Sequence, residues 1–244
     1  MRKELKQQMR KDEFASGLQS SWAWVRTHGE LLRIAGPMVL VLVVVVASIS
    51  MYRTGRNRDA AEALRQALIT FNKPLPGGAD VAAAAEPAFA SAAEKYAAAR
   101  DAFEGVVEDF GGSEAAREAA YYVALCQLEL GEHDAAIKAF NAIGARREPG
   151  ELLPVQARLS LAAALAQRGD VDASVETYDQ LLGDAGLELP RDYVLLRLAR
   201  TLEDAGRHDQ ASRAYLRLTR EFPESLYTGE ARQRARYLDP STGG

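Results

Sequence analysis

Residues 121–140 read YYVALCQLELGEHDAAIKAF, and this arrangement of apolar and small side chains around one glycine decides the fold. The glycine, Gly131, has counterparts at Gly169 and Gly206, which follow at separations of 38 and 37 residues. When the three copies are aligned on these glycines, five further positions keep their size and polarity. These positions are occupied by Val123, Leu161 and Leu198; Ala124, Ala162 and Ala199; Ala136, Ser174 and Ala211; Phe140, Tyr178 and Tyr215; and Ile143, Leu181 and Leu218. The pattern indicates an internal repeat.

Each repeat predicts a pair of antiparallel helices. Glycine tolerates the left-handed backbone in which a first helix can end. Small side chains on the first helix let the second approach closely, and the aromatic residue nine positions after the glycine fills the gap between hairpins. One hairpin cannot bury its own apolar stripe, so the copies must stack into a superhelix. We therefore expect an all-α fold.

A weaker unit precedes these three repeats. Glu94 stands where the glycine would be, and Ala99, Phe103 and Val106 follow at the offsets of the repeat. The stretch before it contains Glu86-Pro87 and is a poor first helix. We expect its partner to be a helix over residues 56–71 that continues out of the apolar segment upstream.

These observations predict the organisation of the chain after its apolar segment. Residues 53–90 should form a membrane-proximal helix and loop, and residues 91–238 the repeats. Residues 227–238 are expected to form a terminal helix with a polar outer face, which caps the stack. Residues 239–244 (DPSTGG) should be a disordered tail.

The apolar segment, residues 34–52, reads IAGPMVLVLVVVVASISMY and has no formal charge. As a helix it would extend roughly 28 Å, close to the thickness of a bilayer's hydrocarbon. It is too long, and begins too far into the chain, for a cleaved signal peptide. We predict a single transmembrane helix, which makes the lipid bilayer one partner of the protein.

Residues 1–33 precede the span. Within them, residues 12–27 can form an amphipathic helix, because Phe14, Leu18, Trp22 and Val25 fall on one helical face. Such a helix would lie at the membrane interface. The alternative is a mobile tail whose aromatic residues occur there by chance.

Charge excludes one class of partner and leaves the orientation open. The chain has 30 Lys and Arg against 34 Asp and Glu; residues 1–52 have a net charge of +3, and residues 53–244 have a net charge of −7. An acidic domain is a poor candidate for nucleic acid. Arginines just after the span favour a cytoplasmic repeat domain, whereas the basic residues of the whole tail favour the opposite orientation.

No pattern typical of catalysis, cofactor binding or metal binding is present. The only cysteine, Cys126, sits in an apolar helical pattern and is expected to be a small core residue. His133 and His208 are repeat equivalents with no Cys or carboxylate at ligand spacing, and His28 stands alone. We therefore predict that the protein is not an enzyme and has no cofactor.

Three segments of the chain resemble tetratricopeptide repeats: residues 121–140, 159–178 (LSLAAALAQRGDVDASVETY) and 195–215 (LLRLARTLEDAGRHDQASRAY). The whole arrangement, with RKDEF at residues 10–14 leading into one span and then repeats, is similar to the ancillary SecYEG translocon subunit family. That resemblance implies a bacterial inner-membrane protein with a cytoplasmic amino terminus and periplasmic repeats.

Stacked hairpins bind other proteins, and their first helices line the inner, concave surface. The register places the following residues at exposed positions there: Glu118, Tyr121, Leu125, Leu128 and Glu129; Gln156, Leu159, Ala163, Ala166 and Gln167; and Tyr193, Leu196, Arg200, Glu203 and Asp204. These are our candidate peptide-binding residues, although any one of them could instead be an ordinary packing or solvated residue.

The sequence thus favours a membrane-anchored scaffold for protein–protein interactions. The resemblance points to translocon subunits or periplasmic chaperones as partners. A structural assembly factor of envelope, division or secretion machinery is the alternative hypothesis.

Overall fold

The fold is known from a computed structural model of the chain. The residues that it describes are 29–75, 89–146, 151–187 and 189–238. The chain divides into two compact units, Met1–Arg56 and Asn57–Gly244. The predicted interfacial helix over residues 12–27 and the predicted tail over residues 239–244 lie outside the described residues.

Helix α1 spans Gly29–Phe71 and contains the predicted transmembrane segment, residues 34–52. By length and composition, its stretch Pro37–Phe71 can cross a membrane, and none of the most apolar window is buried by protein. Its large side chains are instead exposed, as Met38 (69%) and Leu40 (65%) illustrate. The core helix of a soluble protein would bury such residues.

The rest of the described chain is also helical. Its helices are α2 (Ala92–Asp109), α3 (Glu114–Glu129), α4 (His133–Gly144), α5 (Leu152–Arg168), α6 (Val171–Gly183), α7 (Arg191–Asp204), α8 (His208–Glu221) and α9 (Thr228–Leu238). From α2 onward each helix packs against the next, and α5 also touches α3 and α7. The predicted all-α fold of stacked hairpins, α3/α4, α5/α6 and α7/α8, is therefore confirmed.

The turn of each hairpin depends on its glycine. Gly131, Gly169 and Gly206 have φ angles of 78°, 103° and 72°, in the left-handed region. The amide of the next residue reaches back to a carbonyl of the first helix, for example from Asp170 N to Leu165 O at 2.9 Å. This bond belongs to the Schellman motif, which satisfies the last carbonyls of a helix. The predicted helix ends are confirmed.

The aromatic side chains nine residues after the glycines are fully buried, with 0% exposure for Phe140, Tyr178 and Tyr215. Phe103, their equivalent in the weaker unit, is also 0% exposed. Tyr178 places its hydroxyl 3.1 Å from Thr201 Oγ1 of the next repeat, so a polar atom is satisfied inside the stack.

The end of α1 contacts the helix of the weaker unit, α2. Leu64 and Ala67, in the part of α1 that belongs to the second unit, share one apolar cluster with Ala99 and Phe103 of α2. The ring of Phe71 meets that of Phe103 edge-on, at 6.1 Å between centroids. These contacts place the end of α1 beside α2 within the second unit.

Helix α9 lies at the other end of the described stack. It begins one residue later than predicted. Ala231 and Ala235 are buried against the core, whereas Arg232 and Gln233 are exposed. One face thus closes the apolar stripe of α8 and the other meets solvent.

Two glycine substitutions test the backbone argument. Gly169→Ala should lower the free energy of unfolding by about 1–2 kcal/mol. The added Cβ meets no atom within 4 Å, but the alanine must adopt a left-handed backbone conformation. Gly105→Ala, at an equally open site inside α2, should gain about 0.5–1 kcal/mol from helix propensity. Urea unfolding of the detergent-solubilised chain, followed by circular dichroism, measures both. Equal effects of the two substitutions would contradict the assignment of the turns.

Ser174 is a buried polar residue in the stack. It is 0% exposed, and its Oγ has no hydrogen-bond partner in the described part of the chain. Its repeat equivalents, Ala136 and Ala211, are also 0% exposed. Ser174→Ala should therefore stabilise the protein by about 1 kcal/mol, because an unsatisfied buried hydroxyl is removed. Ala136→Ser is the reciprocal control and should destabilise it in the same unfolding assay. A lower stability of Ser174→Ala would contradict the claim that the buried hydroxyl destabilises the protein.

Candidate partner-binding surface

The first helices of successive repeats, α3, α5 and α7, lie side by side and form one surface. The Tyr121 hydroxyl lies 3.0 Å from Ser160 Oγ, which joins α3 to α5. The same surface has an opening between each pair of first helices. We call the opening between α3 and α5 the first groove and the opening between α5 and α7 the second groove.

The first groove has a volume of about 380 Å³. It is lined by Glu114, Arg117, Glu118, Tyr121, Tyr122, Glu151, Leu152, Leu153 and Gln156. Three of the predicted residues, Glu118, Tyr121 and Gln156, are among them. Carboxylates, tyrosine rings and an exposed leucine thus meet in one cavity.

The tyrosines of the first groove are held in place by packing. Tyr122 stacks on Phe103 at 5.0 Å between ring centroids, and Tyr121 lies 5.8 Å from Phe140. Burial raises the pKa of Tyr121, and burial followed by the charge of Glu118 raises that of Tyr122. Both phenols are therefore neutral near pH 7 and can donate or accept hydrogen bonds.

The second groove has a volume of about 460 Å³. It is lined by Ala163, Ala166, Gln167, Tyr193, Arg197, Arg200, Thr201, Asp204 and Ala205. Six of these were predicted: Ala163, Ala166, Gln167, Tyr193, Arg200 and Asp204. Arg197 Nη1 donates a hydrogen bond of 3.4 Å to the Tyr193 hydroxyl, so a cation and an aromatic ring stand together at this end.

Three predicted residues are not on the surface. Leu128, Leu159 and Leu196 are 7%, 8% and 1% exposed and belong to the apolar core. Each first helix packs against helices of its own repeat and of its neighbours, so the strip that remains exposed is narrower than the sequence pattern suggests. Their prediction as exposed positions is wrong.

Two other predicted residues are engaged by the terminal helix. The Glu203 side chain is 10% exposed, accepts a hydrogen bond of 2.9 Å from the Tyr215 hydroxyl and forms an ion pair with Arg234. Arg200 pairs with Glu230 at 2.7 Å. Helix α9 therefore takes up charges that the sequence had assigned to a partner.

The last two predicted residues lie on α3 and line neither groove. Leu125 is half-buried and packs against the core, whereas Glu129 is exposed.

The grooves are also lined by residues that the sequence did not predict. Arg197 could have been found, because it lies one helical turn after Tyr193 on the same face. Glu151 could not, since the sequence did not fix where α5 begins.

Cys126, His133 and His208 differ in their exposure to solvent. Cys126 is fully buried, and burial raises the pKa of its thiol to about 12, so the reactive thiolate is not formed near pH 7. His133 is half-buried and His208 is exposed. Across the described ranges, no group of three or more His, Cys, Asp or Glu residues could hold a metal ion.

Two regions of the chain match family models of a known repeat. A tetratricopeptide repeat model matches residues 90–151, which contain α2, α3 and α4, and a second matches residues 193–225, which contain most of α7 and all of α8. No curated protein matches the chain. The stacked hairpins and these two matches support a tetratricopeptide repeat protein, a class whose stacked repeats form extended surfaces for binding other proteins.

Proposed function

We propose that the protein is a membrane-anchored scaffold that binds protein partners in the two grooves of its first-helix surface. The observation that carries this proposal is the pair of cavities between successive first helices, about 380 and 460 Å³ in volume. Each combines apolar or aromatic side chains with charged ones, as sites for extended peptides and partner helices do.

We propose that α1 is the membrane anchor. Its apolar side chains are exposed over residues 38–46, and an apolar surface of this length is unstable in water but stable in hydrocarbon. Its polar side chains use their own helix, as where Ser48 Oγ donates to Val44 O at 2.8 Å. Internal bonding of this kind is what a bilayer demands of a spanning segment.

For the location, we propose a bacterial inner membrane, with the amino terminus in the cytoplasm and the repeats in the periplasm. We further propose that the partners are SecYEG translocon subunits or periplasmic chaperones. The support is the resemblance carried by residues 10–14, the single apolar segment and the repeats that follow it. The charge pattern around the span does not decide the orientation.

Orientation is tested by a reporter fused after Gly244. In a bacterial host, alkaline phosphatase fused there should be active, because that enzyme forms its disulfides only after export. The same fusion made to green fluorescent protein should be dark. A fluorescent fusion together with an inactive phosphatase would place the repeats in the cytoplasm and exclude periplasmic partners.

The binding surface is tested by photo-crosslinking in cells. A photoreactive amino acid at Gln156, which is exposed in the first groove, should give discrete adducts with translocon or chaperone subunits. Its control is Glu176, which is also exposed, lies on the second helix α6 outside both grooves and should give few adducts.

Adducts with division or secretion machinery would favour the structural assembly alternative. Equal adducts from Gln156 and Glu176 would argue against a role for the grooves altogether.

A further inference from the structure

We propose that the first groove binds a basic segment of its partner, in which a Lys or Arg side chain stands next to an apolar or aromatic one. This inference rests on the proposed function and specifies the chemistry of the partner. It is drawn from the charges, the rings and the exposed apolar side chain that meet between α3 and α5.

The groove carries an excess of negative charge. Its three carboxylates, Glu114, Glu118 and Glu151, face the single cation Arg117. Arg117 Nη1 donates to Glu151 Oε1 at 2.8 Å, so part of this cation is committed within the groove. A cationic group from a partner would reduce the remaining repulsion, and the acidic excess of the chain after residue 52 would steer it inward.

Glu118 is the carboxylate best placed to receive that cation. Glu114 lies in the first turn of α3 and Glu151 at the amino-terminal cap of α5, where backbone amides offset negative charge. Glu118 lies about one turn further along α3 and lacks that compensation. It is half-buried, and its charge acts on the neighbouring phenol of Tyr122. A partly desolvated carboxylate binds a cation more strongly than a fully exposed one.

Aromatic and apolar groups complete the recognition. The rings of Tyr121 and Tyr122 line the same cavity as Glu118, and a ring face attracts ammonium and guanidinium groups. Leu152, at the start of α5, lines the groove with 48% of its surface exposed. A leucine or aromatic side chain of the partner would cover it, so the occupant needs an apolar residue beside its cation.

The second groove has more positive than negative side chains, so it should not attract a basic segment as the first groove does. Its charged residues are Arg197, Arg200 and Asp204, and Arg200 is already paired with Glu230. A cation bound there would meet Arg197, which is hydrogen-bonded to a tyrosine hydroxyl. The same basic segment should therefore prefer the first groove.

The experiment selects peptides without assuming a sequence. The full chain is placed in nanodiscs of zwitterionic lipid, and random dodecapeptides displayed on phage are selected on it after depletion on empty nanodiscs. The same selection is run on Glu118→Lys, and the best peptide is then measured by fluorescence anisotropy at low and high salt. Glu118→Gln serves as a nearly isosteric variant, Glu176→Gln as the charge-matched control outside the groove, and circular dichroism verifies that each variant is folded.

The enriched peptides should carry Lys or Arg beside a leucine or aromatic residue, and Glu118→Lys should abolish that enrichment. Glu118→Gln should weaken the best peptide about three- to five-fold at low salt and less at high salt, because salt screens an ion pair that is still partly in contact with water. Glu176→Gln should leave its affinity unchanged.

Other outcomes overturn the inference in distinguishable ways. Neutral or acidic peptides that lose affinity in Tyr121→Ala would overturn the basic partner but keep the groove as a binding site. A dimer of the native chain that Glu118→Lys dissociates would make a second copy the occupant. If no peptides are enriched, or if the enriched peptides are insensitive to substitutions in both grooves, the proposed function fails as well.

Discussion

The aromatic side chain nine residues after each turn glycine is the contact on which the stack depends. Phe140, Tyr178 and Tyr215, together with Phe103 at the equivalent position of the weaker unit, are each 0% exposed, although they stand on four different helices. An aromatic ring buried between helices stabilises a fold by several kcal/mol, more than a surface ion pair contributes. Because each ring needs the neighbouring layer to cover it, no layer is complete alone, and the grooves between first helices exist only in the assembled stack.

Ion pairs between the turns follow the same repeat. Arg168 reaches Asp134 at 2.7 Å and Arg207 reaches Asp172 at 2.5 Å, so each turn is joined to the turn of the preceding repeat. Both aspartates are almost fully exposed, and pairs in such surroundings contribute about 0–1 kcal/mol each. They are consistent with the register that the buried aromatic rings set, and they add little to its stability.

The sequence predicted those features that one repeat determines by itself. Within a repeat, the turn needs a residue that tolerates a left-handed backbone, the close helix contact needs a small residue and the gap between hairpins needs an aromatic ring. Each requirement fixes a residue type at one position, so the glycine and aromatic columns located the hairpins α3/α4, α5/α6 and α7/α8. The binding surface depends on neighbours instead. Leu196 lies on the face assigned to a partner, yet adjacent helices cover it until 1% is exposed. Arg200 and Glu203 are paired with residues 30 and 31 positions away on α9, and no local period encodes such contacts.

The proposed anchor changes what the grooves need to achieve. A groove held by a membrane span meets only those partners that reach the same surface, and confinement raises their effective concentration without any new contact. Moderate affinity is then sufficient, and the first groove is suited to it, since its carboxylates are exposed or half-buried and its tyrosines are half-buried. A deep apolar pocket would bind more tightly and release more slowly. A charged, partly solvated groove on a tether therefore favours repeated, short-lived contacts with segments of other proteins over one permanent complex.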